Sequence, residues 1–188
     1  MNRSPRSAAA IVCLLCACSL SPPATPTRFA RGAKIPLGAY TLVVTDVESM
    51  DASFFHQELP LTRPRPGEVY LSVAVTWDHK EDFRATDEKA MDFMKAWILG
   101  RFKLQDATGT IYRDCTPIDA NMFRAAKMEQ AGDDRAFFDA IMKGREDPSR
   151  EWVVIFTVPG KARGFTLLVD NLDWVEGQPR LAAIPLGR

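Results

Sequence analysis

The chain has no net charge to work with: 24 Lys and Arg stand against 24 Asp and Glu in 188 residues. Such a balance leaves no field to draw it to DNA, RNA or anionic lipid. Histidine is scarce. His56 and His79 lie in polar segments, without the cysteine or carboxylate spacing of a zinc site. Gly-x-Ser-x-Gly, P-loop, dinucleotide and EF-hand patterns are missing, and no internal repeat is visible. Cysteine is scarce where it would matter most. Three of the four, Cys13, Cys16 and Cys18, fall at the N-terminus, leaving Cys115 without a partner for an internal disulfide. The domain must therefore hold together by burial, and its 46% apolar content is enough for a core.

What is present at the start is a leader. Arg3 and Arg6 precede an uncharged apolar run, Ala8–Leu20, which at about 13 residues is short of the ~20 needed to span a bilayer. Residues 1–17 read as a signal peptide. Leu15-Cys16-Ala17-Cys18 resembles a lipobox, which implies that Cys18 becomes the lipidated N-terminus. Ordinary cleavage near Ala17 or Ala24, giving a secreted or periplasmic protein, is the alternative. Residues 18–34 are rich in Pro, Ser and Thr and read as a tether.

From residue 35 to 188 the pattern is that of one mainly β domain. Tyr40, Leu42 and Val44 alternate with Thr41, Val43 and Thr45. Val69, Leu71, Val73, Val75 and Trp77 form the longest alternation. In Glu151–Asp170 the spacing predicts two strands joined as a hairpin at Pro159-Gly160. The first is apolar on both faces and so belongs inside a sheet. A further strand is expected over Trp97–Asp106, and a last edge strand over Leu181–Ile184. Two polar, helix-prone insertions interrupt the strands. Asp78–Lys95 would be capped by Thr86 or Asp87, with Ala90, Met91 and Met94 inward. In Pro117–Gly144, Met122, Ala125, Ala126 and Glu129 suit one helix, and Phe137, Phe138, Ile141 and Met142 another.

Four segments in order, GAYTLVVTDVE, PGEVYLSVAVTW, FKLQDATGTIY and WVVIFTVPGKARGFTLLV, resemble the immunoglobulin-like domain of unknown function of small bacterial secreted proteins and lipoproteins. The motif residues are Phe102, Leu104, Asp106, Gly109 and Tyr112, then Val158 and Pro159. The resemblance implies an immunoglobulin-like antiparallel β-sandwich with two short helical insertions, located at the cell envelope. It brings no catalytic residue with it.

The expected function is that of a non-enzymatic cell-envelope lipoprotein acting as a binding or protein-interaction module. Membrane attachment would run through Cys18, with a protein partner in the envelope and no cofactor, metal or nucleic acid. The second insertion is the expected binding element, through Phe123, Phe137, Phe138 and Met142. Long ordered connections in compact domains tend to be functional, although these residues also suit a plain cover over a sheet. The alternative is an envelope hydrolase or metal-dependent enzyme using His79 with Asp82, Asp87 and Glu88. Cys115 reads as a buried small hydrophobe. Adjacent Phe54 and Phe55 cannot both point into one sheet face, so the expectation is burial under the loop, with exposure of one as a contact the alternative.

Overall fold

Alternation of apolar and polar side chains resolves into two five-stranded sheets packed face to face. The computed structural model describes residues 25–54, 59–79, 88–133, 135, 139 and 151–187, with the side chains of 79 and 88–91 left aside. One sheet runs β2 (Ile35–Leu37), β3 (Tyr40–Met50), β4 (Glu68–His79), β8 (Glu151–Pro159) and β7 (Cys115–Asp119) in spatial order, antiparallel throughout. The other runs β1 (Thr27–Arg28), β10 (Leu181–Pro185), β9 (Thr166–Asp170), β5 (Phe102–Gln105) and β6 (Ile111–Tyr112). Its pairs are antiparallel except β1 with β10, which is parallel. The fold is a mainly β sandwich with helices α1 (Glu88–Arg101) and α2 (Ala120–Gln130).

Facing residues of the two sheets make the main core. Leu71, Val73, Val75 and Trp77 of β4 join Trp152, Val154, Phe156 and Val158 of β8. They pack with Phe102, Leu104, Leu167, Val169, Ala182 and Ile184 from the opposite sheet. A bulge keeps β3 in step. Strict alternation after Leu42 and Val44 would send Asp46 and Glu48 inward. The register instead slips between Val44 and Asp46, so Val47 is buried opposite Val73 and Glu48 stays outside.

Strand β8 is apolar on both faces because it serves two cores. Val153 and Ile155, pointing away from the sandwich interior, meet Tyr70, Met50 and Ile118 under Phe54, Leu59, Leu61 and α2. The expected central position of this strand is therefore found, between β4 and β7. The expected hairpin is not. β4 and β7 occupy both edges of β8, so no edge is left for β9, and the chain crosses to the other sheet after Pro159.

Three further expectations shift. Trp97–Gly100 is helix rather than strand. Met94, Trp97, Ile98 and Arg101 recur at helical spacing and form the buried face of α1, with the strand starting at Phe102. Pro117–Asp119 belongs to β7, and Asp119 caps α2 by accepting from the amides of Asn121 at 2.9 Å and Met122 at 3.4 Å. On the resulting helix Met122 is exposed and Phe123 is buried in its place. Leu181–Pro185 is not an edge, because Thr27–Arg28, within the expected tether, pairs along it.

Candidate interaction surface

Where α1 ends and β3 begins, the main core closes with aromatics. Trp77 and Trp97 meet edge to face with ring centres 4.5 Å apart, and Tyr40 lies 5.4 Å from Trp97. The Arg101 guanidinium stacks 4.1 Å over Trp97 and donates to Asp173 Oδ2 at 2.6 Å. Asp173 lies in the connection 171–180 between β9 and β10, so this ion pair ties the connection to the aromatic end of the core.

Side-chain amides fix the same connection a second time. The Gly38 amide donates to Gln178 Oε1 at 2.7 Å, and Gln178 Nε2 donates back to the Gly38 carbonyl at 3.1 Å. Gly38 has φ +67°, and a Cβ built there would lie 2.9 Å from the Asp173 Cβ, so only glycine lets the two turns touch. Asn171 Nδ2 donates to the Pro179 carbonyl at 3.0 Å, and the Asn171 amide donates to the Arg180 carbonyl at 2.9 Å.

This well-held connection turns apolar side chains to solvent. Leu172 is 65% exposed, Val175 50% and Trp174 40%, whereas Trp77, Trp97 and Trp152 are all buried. The Trp174 indole Nε1 donates to the Gln178 carbonyl at 2.7 Å, and Arg180 stacks 4.3 Å over the ring. An exposed tryptophan on a preordered backbone, beside two aliphatic side chains and an arginine, has the composition of a binding hot spot. In the sequence the only mark of it is Trp174-Val175 between Asn171 and Pro179. Four tryptophans look alike until their burial is known.

Of the residues expected to bind, the described ones include Phe123 alone. Phe123 is 7% exposed and packs 5.2 Å from Phe54, so its ring is part of the second core and faces away from solvent. Phe137, Phe138 and Met142 lie outside the described residues, as do Cys18, His56, Asp82 and Asp87. His79 ends β4 and Glu88 opens α1, and only their backbone is described. Phe54 is buried in the second core with Leu59, Leu61 and Phe123, and Phe55 lies outside the described residues.

Cys115 is half-buried against the main core. Burial, with a smaller effect of Asp114, pushes its thiol up to about 12, the reverse of what a thiolate nucleophile needs. The neighbouring groove of about 390 Å³ carries Arg63 and Arg65 together with Glu68 and Asp114, a surface of mixed sign. Among the described residues no three His, Cys, Asp or Glu side chains gather to hold a metal. Nor is any described helix long and apolar enough to cross a membrane.

Asp106 works locally. Its Oδ1 accepts from the Thr108 hydroxyl at 2.6 Å and from the amides of Thr108 and Thr110 at 2.9 and 3.0 Å, and its Oδ2 accepts from Tyr112 Oη at 2.9 Å. These bonds, the Thr108 hydroxyl foremost, hold the carboxyl below its ordinary range. Gly109, at φ +87°, completes the turn.

No family model matches this chain, and no curated protein does. Among solved structures it is similar to an uncharacterized beta-sandwich protein from Clostridium difficile 630. The two share 11% identity over 87% of this chain and 95% of that one, with a TM-score of 0.42.

Proposed function

We infer that the chain is a non-enzymatic interaction module of the cell envelope, anchored by lipid on Cys18, that binds through the connection 171–180. The observation that carries this reading is the contrast within that connection. Its Asp173 and Gln178 side chains are tied to Arg101 and the Gly38 backbone and Asn171 bonds its own backbone, while Leu172, Trp174 and Val175 remain exposed. Ordering cost is thus met before any partner arrives, which is what a binding loop gains from a rigid sandwich.

The envelope location rests on the lipobox-like Leu15–Cys18 and the short apolar run before it. The finer kinship with the immunoglobulin-like domain of secreted proteins and lipoproteins is part of the same reading. It is supported by the hairpin of Phe102, Leu104, Asp106, Gly109 and Tyr112. In it Phe102 and Leu104 fill the core and Asp106 ties the turn to Tyr112.

Photo-crosslinking in cells tests the surface. A photoreactive residue at position 172 is expected to form adducts with an envelope component, and one at exposed Arg113 is not. Equal labelling at both positions would remove the assignment. Retention of the protein in the membrane fraction, lost in Cys18→Ser, tests the anchor separately.

A further inference from the structure

We propose that the component covering Leu172, Trp174 and Val175 is the bilayer itself, so that the domain rests on the membrane with this end down. The proposal deepens the reading above and rests on Cys18 being the anchored residue. It starts from where the chain enters the fold. β1 runs parallel to β10, with Thr27 beside Ala182 and Arg28 beside Ala183. The first residues of β1 therefore lie toward the start of β10, the end at which the connection 171–180 hands over to that strand.

Seven residue steps separate Cys18 from Thr25, a span of no more than about 25 Å when fully extended. A lipid on Cys18 thus keeps the membrane within that distance of the point where the chain joins the sandwich. The exposed apolar connection is at the same end.

The chemistry of the connection suits the boundary between headgroups and acyl chains. Leu172 and Val175 are aliphatic, and tryptophan favours that boundary because its ring is apolar and its edge polar. The one donor on the Trp174 ring is already satisfied by the Gln178 carbonyl, so inserting the ring strands no hydrogen bond. Arg180, stacked on the ring, places a cation at headgroup height. Asp173 is neutralised by Arg101, leaving Glu176 to oppose Arg180. The charges of the connection, counted with Arg101, cancel, so the fitting surface is zwitterionic lipid rather than strongly anionic lipid. Three side chains are a weak anchor alone, but a tether raises their local concentration enough for weak contacts to count.

Depth-dependent quenching tests this with the natural protein. Full-length protein purified from membranes is reconstituted into phosphatidylcholine vesicles with brominated acyl chains, and the mass of the N-terminal peptide reports acylation of Cys18. Bromine in the acyl region is expected to lower Trp174 emission about twofold or more relative to unbrominated vesicles. That loss should vanish in Trp174→Phe and shrink in Leu172→Asp. An acylated protein whose emission is unaffected by bromine overturns the bilayer contact while leaving the anchor standing. An unacylated protein that is still quenched through Trp174 keeps the bilayer contact and removes the anchor. Protection of Trp174 from aqueous acrylamide only when envelope proteins are added, with no bromine effect, overturns the proposal in favour of a protein partner.

Discussion

The two sheets turn very different outer faces to their surroundings. Behind β4 and β8 lies a second core, with Tyr70, Val153 and Ile155 sealed by Phe54, Leu61 and Phe123. Behind β9 and β5 the described residues form no second apolar cluster, although Leu168 and Ala183 are buried there and Thr25, Pro26 and Arg28 line the same face. Lys103 pairs with Asp170 across the strands, and Thr166 and Gln105 line a shallow groove with Leu168 and Ala183. The difference assigns a purpose to the second insertion. Its first helix supplies the lid that a strand apolar on both faces requires, and its inward aromatic is a structural part.

The largest expected effect lies between the sheets, where both share one core. Phe156→Ala, at a fully buried position, should cost toward the upper end of about 3–5 kcal/mol in denaturant unfolding, with Trp77→Ala close behind. On the covered outer face Phe123→Ala should cost toward the lower end of that range, about 3 kcal/mol, because its ring sits at the margin of a smaller cluster. A cost within about 0.5 kcal/mol of zero for Phe123→Ala would erase the distinction between the two outer faces.

A smaller effect distinguishes the sheets by pH. The folded-state pKa of Asp106 is lowered, so the stability it confers is present above the ordinary carboxylate value, about 3.9, and is lost as pH falls through the lowered folded value. Below pH about 4 the amides of Thr108 and Thr110, which donate to Asp106, should lose protection against hydrogen exchange before those of β4 do. Simultaneous loss in both sheets would contradict it. The smallest effect is expected on the outer face of β9 and β5. Replacing Lys103 by Met breaks a partly exposed ion pair and should cost only about 0.2–1 kcal/mol.

These contrasts also mark how far sequence reasoning reaches. Strands β4 and β8 are legible because pleat period and apolar period coincide over many residues. Trp97 and Ile98 misread as strand because both favour sheets intrinsically. Their helical spacing shows only when Met94 and Arg101 are counted with them. The crossing after Pro159 is invisible in local sequence, since it depends on β7 having taken the neighbouring edge. The exposed connection is invisible for a related reason: exposure is a tertiary property. Trp174 differs from Trp152 in its surroundings and hardly at all in its immediate neighbours.

The pairing of β4 with β8 has a consequence for folding as the chain is made. Glu68 sits opposite Pro159 and Thr76 opposite Glu151, so this pairing waits for a strand made long after β4. β3 and β4, nearly adjacent in the chain, can pair as soon as both have emerged. Until β8 arrives, β4 presents a bare edge twelve residues long, lined by valines and a tryptophan, to whatever is nearby. During synthesis the chain therefore passes through an interval in which this strand is half-paired. The speed with which the C-terminal third follows, or a chaperone covering that edge, sets how much of the protein folds rather than aggregates.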